Sequence, residues 1–260
     1  MIVISDVHGN FKTLVKLLES IPKEEKDKGI VLAGDLIDRG PMSAEVVQFC
    51  IDNKDKIQAV RGNHEELMIE SGLLEASYFM KNGVVNTLGT LTGPYGRNTP
   101  SMWISNGGKE ALHSYAEYDE KEKKTIFDIE VFYDHIEWMK SLPYYLEFPD
   151  VKNDKGQHLL VTHSSAAKVW KWSEQRRTEQ YKHFIGHLTW GRPNTILPID
   201  NIFNVFGHTP IANGPRLKDH YANIDTGCFY SNEPGYFKLT ALQFPEMIVY
   251  QQENVDGKWI

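Results

Sequence analysis

The sequence predicts an α/β fold whose functional groups gather where strands end. Three observations carry that expectation. A strand, a loop and a helix follow one another three times before about Ser71. Each of these strands runs into a polar motif: Asp6-Val7-His8-Gly9-Asn10, Gly34-Asp35-Leu36-Ile37-Asp38-Arg39-Gly40, and Arg61-Gly62-Asn63-His64-Glu65. The second half is mostly short strands rich in β-branched and aromatic residues, three of which stop at His163, His208 or Asp225.

Taken in order, Met1–Ser5 is apolar enough for a first strand. Asn10 can cap the helix that follows, whose apolar face is Phe11, Leu14, Val15, Leu18 and Ile21. Lys23–Gly29 reads as a charged loop. Ile30–Ala33 reads as a buried strand, followed by a helix from near Ser43 through Cys50. Ile57–Val60 is a third strand, with a helix to about Ser71. Strands joined through helices are parallel and cross over right-handedly, so the polar motifs fall on one sheet edge. Gly72–Gly108 loosens into Gly, Asn, Thr and Pro, an irregular insertion beside the site. Lys109–Tyr118 and roughly Thr125–Met139 are expected to be helical, the second through Ile126, Ile129, Tyr133, Ile136 and Met139. Together these make an insertion over about 72–140. The strands expected beyond it are Tyr144–Phe148, His158–Thr162, Ile202–Phe206, Ala222–Ile224, Tyr236–Leu242 and Met247–Gln251. No linker or repeat marks a boundary, so residues 1–260 read as a single domain.

Composition excludes several classes. No apolar run approaches membrane-spanning length, and the N-terminus lacks a basic region and long apolar core, so cytoplasmic residence is expected. Cys50 and Cys228 stand far apart and suggest neither a disulfide nor a thiolate metal framework. The net charge of −7 argues against a broad nucleic-acid footprint while leaving room for a local cationic pocket.

The strand-end residues Asp6, His8, Asp35, Asp38, Asn63, His64, His163 and His208 supply carboxylate, amide and imidazole donors that suit Mn, Fe or Zn. Asp35, with two oxygens, can bridge two ions about 3.5–4 Å apart. Asp6 and His8 can present to the first ion, and Asn63, His163 and His208 to the second. Taken singly, a D-x-H is more often a turn and an Asn-His a helix cap. Five such coincidences after strands favour metal binding.

As a set, these motifs resemble the calcineurin-like metallophosphoesterases and, within them, the phosphoprotein phosphatase group. That group shows D-x-H, G-D-x-x-D-R-G, G-N-H-E, an isolated His and G-H-T, here Asp6–His8, Gly34–Gly40, Gly62–Glu65, His163 and Gly207-His208-Thr209. The likeness is strongest to bacteriophage lambda-type serine/threonine protein phosphatases, through Ala59–Glu65 with Met68-Ile69, Asn106-Gly107-Gly108, Trp190-Gly191-Arg192 and Phe206–Pro210. It implies a four-layer fold, two mixed β-sheets flanked by helices, with two divalent ions at the strand ends. Asp6, His8 and Asp35 would hold the first ion, and Asp35, Asn63, His163 and His208 the second. Pro210 stands where many relatives have a further His ligand. That leaves the first ion three protein ligands and favours exchangeable Mn²⁺.

Two dications lower the pKa of a shared water far below that of bulk water, so hydroxide attacks phosphorus in line without a phosphoenzyme. Arg39, Arg61 and Arg192 would hold the phosphate oxygens, alongside Asn63. The competing reading of each arginine is a surface ion pair, and Arg192 rests on the shortest motif. His64, oriented by Asp38, would protonate the leaving alkoxide. His183 and His187 lack the Glu of a zincin arrangement, and Ser164-Ser165 lacks the glycines of a nucleophile elbow. Trp170 and Trp172 suit either a substrate rim or simple packing.

The expected activity is hydrolysis of phosphoserine and phosphothreonine, with phosphotyrosine as an extension, in a phosphoprotein or a phosphorylated small molecule. The rival within the fold is a symmetrical diadenosine tetraphosphatase, which the chain resembles at Asp225-Thr226-Gly227-Cys228. Asp38 and Glu65 favour the phosphatase side. A nucleic-acid phosphodiesterase is disfavoured by charge. A phosphate-reading scaffold without turnover would be expected to have lost Asp35 or His64, and both are present.

Overall fold

The computed structural model describes residues 1–82, 101–121, 123–230 and 233–257. Its first half alternates β1 (Ile2–Ile4), α1 (Phe11–Ser20), a short α2 (Lys23–Lys26), β2 (Ile30–Leu32), α3 (Ser43–Asp52), β3 (Ile57–Ala59) and α4 (Asn63–Asn82). The three strands pair in parallel, with Ile2 opposite Ile30 and Ile30 opposite Ile57. Successive strand residues face opposite ways. Ile2, Ile4, Ile30 and Leu32 enter one core, whereas Val3, Val31 and Ala33 enter another. These runs carry no polar residue because both faces of the strands are covered.

After a π-helical turn, Ile104–Gly108, come α5 (Lys109–Ser114), β4 (Ala116–Asp119), β5 (Lys124–Phe127) and α6 (Ile129–Ser141). Then follow β6 (Tyr145–Lys152), β7 (His158–Thr162), a 3₁₀ turn at Trp170–Trp172, α7 (Glu179–Trp190), β8 (Ile202–Phe206), β9 (Arg216–Leu217), β10 (Tyr221–Asn223), β11 (Lys238–Gln243) and β12 (Ile248–Glu253). Two mixed five-stranded sheets result, ordered β12-β11-β1-β2-β3 and β6-β7-β8-β10-β9. Val3, Val31 and Leu242 of the first meet Leu159, Val161, Phe203, Val205 and Ala222 of the second in an apolar layer between the sheets. Helices α1 and α3 pack on the outer face of the first sheet, α4, α5 and α6 extend the same core through contacts of α5 with α3 and of α6 with α3 and α4, and α7 covers the second sheet through Phe184 and Leu188. The four-layer α/β architecture expected from the motifs is therefore present.

Local differences have identifiable causes. Helix α4 does not stop near Ser71 but runs to Asn82, because Gly72 is a packing position: a Cβ there would lie 3.2 Å from Met68, Phe132 and Ile136. Residues 83–100 of the expected insertion lie outside the described residues. The helices expected over Lys109–Tyr118 and Thr125–Met139 are interrupted by a hairpin that pairs Ala116 with Phe127. Asp128, accepting a hydrogen bond from the Val131 amide at 3.0 Å, starts α6 only at Ile129. Helix α7 was not expected among the strands. Thr178 caps it by accepting from the Tyr181 amide. Lys23–Lys26 forms a helical turn rather than a loop. Cys50 and Cys228 are buried, separate thiols. No described helix is long and apolar enough to cross a membrane.

Strands β1, β2 and β3 deliver Asp6, Asp35 and Asn63, and β7, β8 and β10 deliver His163, His208 and Asp225. The strand ends of both sheets thus face one place.

Candidate metal centre and active site

The backbone is bent out of its ordinary range to make this place. His8, Asp35, Asp38, Arg39 and His208 all have positive φ, between 48° and 73°. Each such residue costs about 1–3 kcal/mol and persists only where surrounding contacts enforce it. Two glycines permit the close approach: a Cβ at Gly62 would fall 2.2 Å from Asp35 Oδ1, and one at Gly207 would fall 1.9 Å from Asp6 Oδ2.

His163 shows most clearly what the centre is built to hold. Its Nδ1 lies 2.9 Å from the Ala33 carbonyl, which can only accept, so Nδ1 carries the proton. The lone pair of Nε2 then faces Asn63 Oδ1 at 2.9 Å, His208 Nδ1 at 3.0 Å and Asp35 Oδ1 at 3.4 Å. Asn63 Oδ1 and Asp35 Oδ1 are acceptors too, so a cation at this point, either a second proton or a metal ion, suits the three atoms together. Burial opposes the proton, but Asp35 and Asp6 outweigh it and push His163 up to about 10. Asp35, His163 and His208 form one group able to hold an ion. The second nitrogen of His208 is buried without a partner among the described residues, and burial, reinforced by His163, pulls its pKa down to about 2. A neutral imidazole of this kind has the chemistry to ligate a metal ion.

His8, Asp35 and His64 form the second such group. His8 donates through Nδ1 to the Ile37 carbonyl at 3.0 Å, leaving Nε2 as acceptor, 3.7 Å from Asp35 Oδ2. Arg39 donates to that nitrogen at 2.8 Å, so an ion on His8 would take the lone pair from Arg39. Asp6 is buried beside these groups and accepts the His208 amide at 3.0 and 3.2 Å. Burial and then the Asp225 carboxylate push its pKa well up. Asp225, likewise raised to about 6 by burial and by Asp35 despite accepting the Gly227 amide, lines the same space. Asp35 itself is held well below the ordinary carboxylate range, against burial, by His163 and His64, so its negative charge raises both neighbours and is a second sign that a cation belongs there. The donors therefore fit divalent metal ions.

His64 sits at the start of α4, with its amide 3.1 Å from Asp35 Oδ1. Its Nδ1 lies 2.6 Å from Asp38 Oδ2. Asp38 also accepts Trp103 Nε1 at 2.9 and 3.1 Å and donates its own amide to Ser43. Burial nonetheless raises the Asp38 pKa above its ordinary value. Glu65, fully buried, accepts the amides of Asp35, Leu36 and Gly62 and so ties two of the ligand loops together.

These residues enclose a cavity of about 30 Å³, lined by His8, Asp35, Arg39, Asn63, His64, Arg192, His208, Pro210, Asp225 and Tyr230. That volume holds one or two water-sized species. A larger cavity of about 640 Å³ beside β4, β5 and α6 contains none of the strand-end donors, and donor chemistry rather than volume locates the site. Arg39 and Arg192 thus reach the mouth of the centre. Arg61 does not. Its guanidinium bonds Glu66 at 2.7 Å, Tyr144 Oη at 3.1 Å, the Leu142 carbonyl at 3.2 Å and the Lys140 carbonyl. Trp103, Asp225 and Tyr230 were not expected in the set. Asp225 gave the same signal as its neighbours, a carboxylate at a strand end; Trp103 gave none, because its contact with Asp38 spans 65 residues.

An α/β sandwich with buried carboxylate, amide and imidazole donors at the facing strand ends defines a metal-dependent hydrolase architecture. The chain belongs to the calcineurin-like phosphoesterases, whose family model matches residues 1–212. It is 26% identical to the asymmetrical bis(5'-nucleosyl)-tetraphosphatase PrpE of Bacillus velezensis over 94% of this chain and 88% of that protein. It is 25% identical to serine/threonine-protein phosphatase 1 of Salmonella typhimurium over 89% of this chain and 88% of that one. A solved structure of a candidate diadenosine tetraphosphatase superposes with a TM-score of 0.59 at 18% identity, covering 98% of this chain and 94% of its own. The protein is a hydrolase of phosphoric esters.

Proposed function

We propose that the protein, acting as a single catalytic domain, is a metal-dependent phosphatase that hydrolyses phosphomonoesters, phosphoserine and phosphothreonine in proteins foremost and phosphotyrosine with them. The observation that carries this reading is the His64–Asp38 pair beside the donor cluster. An alkoxide leaving group needs a proton in the transition state, and a positioned imidazole supplies it. The Salmonella relative is named for the same chemistry.

Asp6, His8 and Asp35 would hold one ion, and Asp35, Asn63, His163 and His208 a second. Mn²⁺ is our assignment, with Fe or Zn as alternatives. Ions held there supply a water acidic enough to provide hydroxide at neutral pH. Arg39 and Arg192 receive the phosphoryl oxygens at the cavity mouth, while Asn63 offers its amide nitrogen from the rim. His64 gives its Nε2 proton to the departing oxygen, and Asp38 stabilises the imidazolium before that transfer. Arg61 acts as a structural tie.

A second reading is hydrolysis of a dinucleoside tetraphosphate, the activity for which the Bacillus relative is named, there with asymmetrical rather than symmetrical cleavage. Initial rates on p-nitrophenyl phosphate, a phosphoserine peptide and diadenosine tetraphosphate, each with Mn²⁺ and with excess chelator, test both. Activity that persists in chelator overturns the metal-dependent reading. A kcat/KM for the dinucleotide well above that for the peptide makes the second reading the correct one.

A further inference from the structure

The cleft beside Arg61 has a chemistry the metal centre does not explain. It measures about 550 Å³ and is lined by Pro143, Tyr144, Tyr145, Arg176, Arg177 and Tyr181. Three tyrosines and two arginines line it, and among the described residues no carboxylate does, although Glu66 accepts from Tyr144 Oη at 3.0 Å. Among the described residues neither Arg176 nor Arg177 has an ion-pair partner, and both are exposed. The rings, by contrast, are held in place. Tyr145 packs edge-on against Trp170 at 5.2 Å, Tyr181 lies against Phe184 at 5.5 Å, and the Arg61 guanidinium sits 4.8 Å from the centre of the Tyr144 ring.

The cleft adjoins the metal centre through the backbone. Tyr145 pairs with Thr162, the residue before His163. Tyr144 Oη bonds Arg61, two residues before Asn63. A ligand lying on the tyrosines therefore rests on residues whose partners, Thr162 and Arg61, stand one and two positions before His163 and Asn63 in the chain.

We propose that this cleft is a nucleoside-phosphate subsite, in which the tyrosine rings take the base and Arg176 and Arg177 take phosphates that lead toward the metal centre. Fixed aromatic faces accept any flat base, and a guanidinium fork fits phosphate oxygens. A volume near 550 Å³ lies in the range of small-ligand sites. A peptide laid along the strand is the weaker fit. β6 is an edge strand, but Pro149 removes a donor and a bulge between Phe148 and Lys152 breaks its register. The inference deepens the second functional reading and rests on it for turnover, whereas binding can be measured without turnover.

The test is calorimetric titration of the Mn²⁺-loaded protein with the β,γ-imido analogue of ATP, with inorganic tripolyphosphate, and with a phosphoserine peptide. The Arg176→Ala/Arg177→Ala variant should bind the analogue at least about tenfold more weakly with unchanged kcat/KM on p-nitrophenyl phosphate. Tyr181→Ala should weaken the analogue but not tripolyphosphate, and Tyr181→Phe should restore it. Equal affinity of wild type for the analogue and tripolyphosphate, wild-type affinity in the double arginine variant, or loss of the peptide rather than the analogue in these variants would each overturn the subsite. Failure of wild type to hydrolyse p-nitrophenyl phosphate would count against the phosphatase reading alone, because the binding comparison does not use turnover.

Discussion

His64 Nδ1 lies 2.6 Å from Asp38 Oδ2 in a fully buried pair, and in the proposed mechanism this contact sets the group that would move a proton apart from those that would bind metal. Asp38 fixes the ring so that Nε2 is the free nitrogen. Replacing His64 by Asn should leave metal content nearly intact and lower kcat on alkyl phosphates by about 10²–10⁴. The loss on p-nitrophenyl phosphate, whose leaving group needs little help, should be much smaller. Equal losses on the two substrates, with metal content measured in parallel, would remove His64 from the acid role. Asp38→Asn should behave similarly, whereas Asp35→Ala should lose metal.

Glu65 is expected to act through the loops it ties rather than on substrate. Its carboxylate accepts three amides at 2.7–3.0 Å, and burial together with Asp35 pushes its pKa up to about 7. Glu65→Gln turns an NH₂ toward at least one of those donors. Urea denaturation should show a loss of about 1–3 kcal/mol, accompanied by weaker Mn²⁺ binding. Unchanged stability and affinity would mean that the loops hold without it.

The two arginines of the strand-end motifs should separate in their effects. Arg39→Ala should lower kcat/KM on p-nitrophenyl phosphate by about 10²-fold or more, as loss of a transition-state donor does. Arg61→Ala should instead cost stability, because four bonds join it to Glu66, Tyr144 and the carbonyls of Lys140 and Leu142. A large fall in kcat/KM with an unchanged unfolding midpoint in Arg61→Ala would return it to the phosphate site.

How far these roles could be read in advance depended on sequence distance. The parallel β1-β2-β3 unit and its motifs were legible because each polar group directly follows an apolar run, and the strands ending at His163 and His208 were legible for the same reason. Arg61 looked like Arg39, since motif position does not reveal which way a long side chain turns once Tyr144, 83 residues on, offers it a partner. The β4–β5 hairpin reads as helix in the sequence because Ile126 falls close in helical phase to Ile129 and Tyr133. It is Asp128, a cap, that starts α6. Trp103 joined the site through a contact no local pattern encodes.

Metal loading should be visible without an assay of activity. An ion on His8 Nε2 competes with Arg39 for one lone pair, and an ion between Asp35, His163 and His208 replaces a proton on His163. Binding should release protons and raise the unfolding free energy, by about 2.7 kcal/mol at a hundredfold excess over Kd. Differential scanning calorimetry with Mn²⁺ and with chelator checks it, and identical midpoints would argue against a site in this cluster.

Away from the centre, His135 should set part of the acid stability. Its Nδ1 faces Tyr115 Oη at 2.9 Å and its Nε2 faces Gln48 Oε1 at 3.0 Å. Gln48 donates its own amide nitrogen to Asp52, so its oxygen must be the atom that faces the ring and His135 Nε2 must donate. The neutral ring thus satisfies both partners, and burial pulls its pKa down to about 4 against 6.5 for the free side chain. Below pH 6.5 the unfolded chain takes up a proton that the folded chain refuses until about pH 4. Stability is therefore full above the unfolded value and is lost as pH falls through this window, by at most about 1.4 kcal/mol per pH unit. In His135→Gln that component disappears, so urea midpoints of the variant should change less than those of wild type across the window. Parallel curves for the two proteins would show that the buried ring does not contribute to the acid sensitivity.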